Sequence, residues 1–545
     1  MRRLSLYIVA LATILGAGCT EEPREIIQAQ PDYARVELSS TAAVIERDGG
    51  VKQFFVATNR SITEVVTEAD WLDISIEEGS ITLYIEANPR PDSRLAIVDV
   101  IVGEEPDWAK ARFKVMQEGI ATLDLSAEDT ANCYIVATEK SASFRADVKG
   151  NGLEDGNSRY FALTDSQISG ASYAMLAWEA TFDGDRTRSG DIIDGEPIYS
   201  AEHRSIYFTT GQTEGNALIA LCDASGRILW SWHIWVTNEP IGHSTAWGLE
   251  WMNRNLGALS NEPHDVANRG MLYQWGRKEP FLPSPAAYVD MPLHLYDEEF
   301  NSLETEEEYY ATQSAIEALR LEVNIFNEQR GDGELEWRYV GFEAPVALNA
   351  PGNVEYAIEH PTTFLGCRTD IPIGEYVFDW YMQQDLMNST GVMMQSDSQL
   401  WGDAEIGAVY KTAFDPCPPG YCVPPRGAFG EIPEGYACTY GADEWTMEQY
   451  GWRWTGGNGD FFPSTGNLDV SGLMGDTSER VLYWTAECFG SGAEGFGKAA
   501  TLFVAFNEVF YGVYPIMDPA EAASWYSYGA RAAAAPVRCV READK

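Results

Sequence analysis

The residue types best suited to holding a ligand stand close together between Gly451 and Asp460, which reads Gly-Trp-Arg-Trp-Thr-Gly-Gly-Asn-Gly-Asp. Indole faces such as those of Trp452 and Trp454 stack on the C–H surfaces of sugar rings. The Asn458 amide and Asp460 carboxylate supply hydrogen bonds to hydroxyls, on a loop that glycine allows to turn sharply. A structural reading stands beside this one, with both tryptophans buried and the glycines serving only as turns. Calcium is not expected, because Asn458 and Asp460 supply too few of the roughly six to eight oxygens it takes. Catalytic patterns are missing: there is no Gly-x-Ser-x-Gly nucleophile elbow and no His-Glu-x-x-His zinc motif, and the six histidines are scattered. Among 83 acidic residues some pair always suits a glycosidase, so the carboxylates alone indicate nothing. The expectation is a non-catalytic protein without metal or cofactor.

Nine cysteines remain to be explained, and the first has a setting of its own. Arg2 and Arg3 precede an uncharged apolar run from Leu4 to Leu15, followed by Gly16-Ala17-Gly18, the form of a secretory signal. That run is too short for a spanning helix, which needs about 20 residues. Leu15-Gly16-Ala17-Gly18-Cys19 resembles the lipobox of bacterial lipoproteins, with the favoured leucine one place early. The resemblance implies a lipid on Cys19, as the chain's only attachment to a membrane. Glu21 and Glu22 then resemble the surface-export signal of Bacteroidetes lipoproteins, implying an outer-membrane protein facing the cell exterior. Exported cysteines are free to oxidise. Cys417 and Cys422 have metal-like spacing, yet no second pair or neighbouring histidine completes a zinc site, so disulfide chemistry is expected. The net charge of −46 excludes nucleic acid as a partner.

With 545 residues, 45% hydrophobic and 12% aromatic, the chain has material for about three domains. Residues 1–18 read as the signal peptide and 19–34 as a polar linker. Residues 35–119 read as short alternating strands with a turn at Asp48-Gly49-Gly50, so a β-sandwich is expected. Asp70-Trp71-Leu72, Asn88 with Arg94, and Val115-Met116-Gln117-Glu118-Gly119 resemble the BACON domain, an immunoglobulin-like module of Bacteroidetes surface proteins. Trp71 itself reads as core. Residues 120–240 read as a second β-sandwich. Its clearest hairpin turns through Asp223-Ala224-Ser225-Gly226, with Ile228, Trp230, Trp232 and Ile234 on one face. Cys133 and Cys222 stand where a bridge between facing strands is conceivable, and His233 reads as a strand residue without a ligand role.

After Pro240 loops lengthen, and residues 241–545 read as one α+β unit. The spacing predicts a helix from a Thr305/Glu308 capping box through Ile316, Leu319, Val323 and Phe326. Trp251-Met252-Asn253-Arg254-Asn255-Leu256-Gly257-Ala258, Gly270-Met271-Leu272-Tyr273-Gln274-Trp275-Gly276-Arg277, Asp415-Pro416-Cys417-Pro418-Pro419-Gly420, Tyr483-Trp484-Thr485-Ala486-Glu487 and Val537-Arg538-Cys539-Val540-Arg541 stand in order. Together they resemble the Fibrobacter succinogenes major paralogous domain, which implies a C-type-lectin-like fold and a Cys417–Cys539 disulfide. Tyr421-Cys422 replaces that family's usual Trp-Arg. The related formylglycine-generating enzymes need a copper-binding cysteine pair in a groove, and no groove motif of that kind is present. The reading is mainly β and multidomain: two sandwiches, the first Ig-like, displaying a lectin-like domain that binds extracellular glycan or glycoprotein. The alternative is a structural or assembly component of a surface filament or glycan-uptake complex, without its own sugar site.

Overall fold

In β7 (Arg94–Glu104) every second residue from Ala96 to Val102 is buried, the pattern of a strand with one face on a core. A computed structural model describes residues 33–90, 93–119, 122–152, 166–180, 191–263, 265–281, 294–295, 350–365, 380, 400–401, 411–425, 428–429, 445–448, 451–456, 459–468, 474–475, 481–488, 498–509 and 516–543. Cys19, Cys367, Cys438, Asn458 and the helix expected over 305–326 lie outside the described residues.

The first unit also holds β1 (Val36–Leu38), β2 (Ala42–Ile45), β3 (Gly50–Thr58), β4 (Ile62–Val66), β5 (Leu72–Glu77), β6 (Ser80–Ile85) and β8 (Asp107–Gln117). They form two four-stranded sheets, ordered β1-β3-β6-β5 and β2-β8-β7-β4. Phe54, Ile81 and Leu83 from one sheet meet Val98, Val100 and Phe113 from the other in a shared core. The Phe54 and Phe113 rings stack at 4.1 Å. Fully burying side chains of this size contributes roughly 1.5–3 kcal/mol each. Gly49 carries the turn into β3 with φ +76°, where a Cβ would lie 2.3 Å from the Ile85 carbonyl oxygen.

The residues behind the first resemblance form one packed cluster. Trp71 is buried, with the Arg94 guanidinium 4.3 Å over its ring. Arg94 Nε donates to Gln117 Oε1 at 2.9 Å, while Gln117 Nε2 donates to the carbonyls of Arg47 and Glu86. Asn88 donates to the Glu118 carbonyl. Together these side chains tie the backbone carbonyls of Arg47, Glu86 and Glu118 to one another across the unit.

Next come β9 (Leu123–Asp124), β10 (Cys133–Val136), β11 (Ser141–Arg145), β12 (Ala171–Ala180), β13 (Ile198–Ser200), β14 (Ser205–Thr209), β15 (Gly215–Asp223) and β16 (Ile228–Val236). The C-terminal region adds β17 (His243–Ala246), β18 (Leu249–Met252), β19 (Leu272–Gln274), β20 (His294–Leu295), α1 (Ala350–Glu359), β21 (Tyr421–Cys422), β22 (Trp445–Glu448) and β23 (Gly451–Trp454). It ends with β24 (Phe461–Pro463), β25 (Asn467–Leu468), β26 (Met474–Gly475), β27 (Val481–Cys488), β28 (Lys498–Val509), β29 (Ile516–Ala530), β30 (Ala534–Pro536) and β31 (Val540–Arg541).

Residues 123–236 supply the sheets β13-β14-β11-β9 and β10-β16-β15-β12-β20, the last strand lent by the C-terminal region. The remaining sheets are β17-β18-β31-β21, β19-β30-β25-β26, β22-β23-β24 and β27-β28-β29. The protein is thus mainly β and multidomain, with several small sheets. No helix among the described residues is long and apolar enough to cross a membrane.

The hairpin expected at Asp223–Gly226 joins β15 to β16, with Asp223 Oδ1 accepting from the Ser225 and Arg227 amides. Packing does not break after Pro240, since one apolar cluster runs from Cys133 to Cys539. β16 is buried from Trp230 to Val236. Its Trp230 Nε1 donates to Asn132 Oδ1, and Trp235 Nε1 to the Ala258 carbonyl.

The Cys133–Cys222 bridge does not form: Cys133 carries a free, buried thiol that burial keeps protonated. β10 and β15 flank β16 on opposite sides, roughly 9–10 Å apart, beyond the reach of a disulfide. Cys422 likewise carries a free thiol, opposite Val540 of β31 in the same sheet and buried in the apolar cluster beneath it.

His233 is fully buried. Its Nε2 lies 2.8 Å from Asn216 Oδ1 and its Nδ1 3.0 Å from the Tyr273 hydroxyl. Those partners assign a neutral ring, Nε2–H donating to the amide oxygen and the tyrosine O–H donating to Nδ1. Burial pushes the imidazole down to about 3. The unfolded chain takes up this proton below about pH 6.5, and the folded chain does not, so stability is full above that pH and falls between 6.5 and 3. His233→Gln should be less stable at pH 7. It should also remove up to about 3 kcal/mol of the loss seen between pH 7 and 4. Parallel melting curves of the two proteins across that window measure this; equal pH slopes would refute it.

Candidate functional site

The sheet β17-β18-β31-β21 is assembled from segments nearly 300 residues apart, and alternation gives it two unlike faces. Inward, Ala246, Trp251, Cys422 and Val540 join Phe429, Trp452, Trp454, Phe462 and Tyr483 in an apolar cluster. The other face is part core and part surface: Met252 is buried and Tyr421 packs on the large apolar cluster, while His243, Glu250, Arg541 and the edge of Tyr421 reach solvent. The His243 and Tyr421 rings lie parallel within 2°, centroids 5.7 Å apart, and His243 Nε2 hydrogen-bonds the Tyr421 hydroxyl. Arg541 Nε donates to Glu250 Oε1 at 2.7 Å, and its guanidinium lies 5.2 Å from the Tyr421 ring centroid. Arg541 Nη2 donates to His243 Nε2 at 3.2 Å. The Glu250 hydrogen bond raises Arg541 above the ordinary guanidinium range, and partial burial raises the Tyr421 phenol. The group is a flat aromatic pair edged by a cation and a carboxylate, able to stack on an apolar face and hydrogen-bond its rim.

Tyr421 is held from beneath. Lys411 Nζ donates to Asp415 Oδ1 at 2.7 Å and to the carbonyls of Cys417 and Tyr421. Asp415 also accepts from the Cys417 and Val423 amides. The Cys417–Cys539 disulfide, with Cα atoms 6.1 Å apart, joins this segment to the strand bearing Arg541.

The two-residue turn between β17 and β18 places Trp247 (φ +51°) and Gly248 (φ +79°) in the left-handed region. Gly248 has open space around it. A tryptophan there costs about 1–2 kcal/mol of backbone strain. Its indole is held by stacking on Trp454 at 4.1 Å, with the Phe429 ring edge-on at 5.4 Å.

Of the residues expected from sequence, Trp452 and Trp454 are only 1% and 6% exposed, so neither ring faces a ligand. β23 turns both inward, and Trp247 covers Trp454. Asp460 accepts from Ser244 Oγ at 2.8 Å, and its carbonyl accepts from the Trp454 amide, which anchors the loop. The quartet His243, Glu250, Tyr421 and Arg541 is missed by sequence reasoning. Its one visible signal is the Tyr421-Cys422 departure from the family pattern. No group of three or more His, Cys, Asp or Glu side chains suited to a metal occurs among the described residues.

The motif residues of the C-terminal region brace the backbone. Gln274 Nε2 donates to the Leu365 and Ala532 carbonyls, and Asn255 Nδ2 to the Arg269 carbonyl. Arg538 donates to Asn255 Oδ1 and the Phe461 carbonyl. Trp275 and Trp484 indoles donate to the carbonyls of Thr485 and Tyr273.

No known protein family matches this chain, and no curated protein does. Among solved structures it is similar to a protein from Bacteroides thetaiotaomicron determined by NMR, with 22% identity, 17% of this chain and 94% of that chain covered, and TM-score 0.13. It is also similar to the periplasmic chaperone SfaE, with 11% identity, 37% and 100% covered, and TM-score 0.18. A tandem pair of titin Ig domains gives 10% identity, 37% and 97% covered, and TM-score 0.13. Similarities this low carry no argument about fold or function.

Two outcomes are expected. Trp247→Asn and Trp247→Ala both lose the indole, but asparagine tolerates the left-handed backbone, so the Asn variant should be about 1 kcal/mol more stable in urea unfolding. Equal stabilities would mean that the turn is unstrained. Cys417→Ser with Cys539→Ser should cost about 4–5 kcal/mol, since the bond closes a loop with sequence separation 122. A shift in urea midpoint equivalent to under about 1 kcal/mol would contradict this.

Proposed function

We propose that this chain is a non-catalytic surface lipoprotein that binds an extracellular glycan or glycoprotein on the outer face of the β17-β18-β31-β21 sheet. The lipobox-like Cys19 supports an outer-membrane anchor with the chain facing outward. The BACON-like motif supports an Ig-like sandwich spacer over 35–119 with a second sandwich after it. The ordered motifs of 241–545 support a C-type-lectin-like display unit. The observation that carries the binding reading is the parallel His243–Tyr421 pair flanked by Arg541 and Glu250 on an outward face. Rings of this kind stack on pyranose C–H faces, while the charged rim hydrogen-bonds equatorial hydroxyls.

A second reading, assembly into a filament or uptake complex, draws on Val51, Phe55 and Tyr84. All three are exposed, and Val51 and Tyr84 are register partners on adjacent strands.

A glycan array probed with the full chain separates the two. Defined hits are expected, and Tyr421→Ala should lower their signal at least about tenfold, a loss of some 1.4 kcal/mol, with the melting temperature kept. A silent array, or hits indifferent to Tyr421, would overturn the binding reading in favour of assembly.

A further inference from the structure

Trp247 sits where the ring of a ligand would. It stands at the tip of the β17–β18 hairpin, half-buried, and its indole stacks on Trp454 at 4.1 Å with 27° between the planes. Trp251, Phe429 and Phe462 close around it, their ring centroids 5.8, 5.4 and 6.2 Å away. Near-parallel rings at this spacing are how an aromatic wall takes up a flat guest. As the chain stands, the hairpin's own side chain fills that place, and Trp454 is 6% exposed beneath it.

Two observations set this contact apart from ordinary core packing. The first is the Trp454 indole N–H, which is buried and has no hydrogen-bond partner among the described residues. The buried indoles of Trp230, Trp235, Trp251, Trp275 and Trp484 each donate to an oxygen. Gly456, an exposed residue, lies over the unmet edge, where a Cβ would come 2.8 Å from Trp454 Nε1. The second is the backbone that carries the covering ring. Trp247 is held left-handed at φ +51°, and Gly248 beside it has open space around it. A swing about this turn relieves the strain at Trp247 and leaves the ladder between His243–Ala246 and Leu249–Met252 intact.

The uncovered place suits a sugar better than another aromatic ring. An aromatic guest fills the slot but leaves the N–H unmet, whereas a pyranose stacks by its C–H face and brings hydroxyl oxygens that accept from it. Nearby, Ser244 Oγ donates to Asp460 Oδ2 at 2.8 Å, and the Asp460 carbonyl accepts from the Trp454 amide. That pair offers a hydroxyl and a carboxylate to sugar hydroxyls. The same carboxylate, in a chain of net charge −46, turns anionic sugars away.

We propose that Trp247 is an intrachain lid over a single-pyranose site on Trp454, separate from the outward sheet face, and that a neutral sugar binds there by displacing it.

A glycan array probed with the full chain and with Trp247→Asn tests this, because asparagine keeps the left-handed turn while removing the lid. A site freed of its lid no longer spends affinity on opening, so a set of neutral glycans should gain at least about tenfold in signal. Adding Trp454→Phe keeps an aromatic face without the N–H and should abolish most of that gain. Adding Tyr421→Ala should leave the gain unchanged, which separates this site from the outward face. On the unaltered chain, labelled with 5-fluorotryptophan, the Trp247 fluorine resonance should show exchange between a packed and a solvent-exposed position, and that of Trp251 should not. An array profile unchanged by Trp247→Asn, a gain indifferent to Trp454→Phe or lost with Tyr421→Ala, or a Trp247 resonance without exchange would overturn the lid.

Discussion

β16 is buried on both faces, and much of the molecule follows from meeting that demand. A strand covered on both sides must find partners for every polar group it carries, because an unmet buried donor or acceptor costs about 1–3 kcal/mol. Ser231 accepts from Lys278, whose ammonium also lies 4.4 Å from the centroid of the Trp230 ring. His233 is shared by Asn216 and Tyr273, and the indoles of Trp230 and Trp235 reach Asn132 and Ala258. Three of these partners, Ala258, Tyr273 and Lys278, come from the motif-rich stretch after Pro240. The C-terminal region is therefore docked on the preceding sheet by a set of specific polar contacts inside a shared apolar core.

The same accounting explains why that region spends so many buried asparagines, arginines and tryptophans. Outside β27, β28 and β29 its strands run only two to four residues, so sheet ladders satisfy only part of its backbone. Gln274, Asn255, Arg538 and the Lys411–Asp415 pair supply the remaining hydrogen bonds from side chains. Loops braced in this way hold a fixed shape, which lets four short strands present one outward face. The disulfide adds a covalent tie at the point where Tyr421 and Arg541 come into register.

Much of the strand pattern was legible directly. Alternation marks β1 and β6, the Asp223–Gly226 turn marks the β15–β16 hairpin, and Trp71 reads correctly as core. The Cys417–Cys539 pairing followed from motif resemblance and is present. Burial was harder to read. Trp452 and Trp454 share a face of β23, but spacing alone does not say whether that face meets solvent or the ring of Trp247. The outward quartet was invisible for a related reason: His243 and Arg541 stand 298 residues apart, and each looks ordinary in its own surroundings.

By itself, then, the sequence determined the local conformations: period-two strands, glycine turns and the stretches able to be core. These depend on backbone geometry and neighbours within a few positions. Only the tertiary structure decided which faces were covered, which cysteines met, and which distant side chains gathered on one surface. Those outcomes depend on what far segments bring to a given point, and a two-faced strand carries no local mark of which side its partner will take.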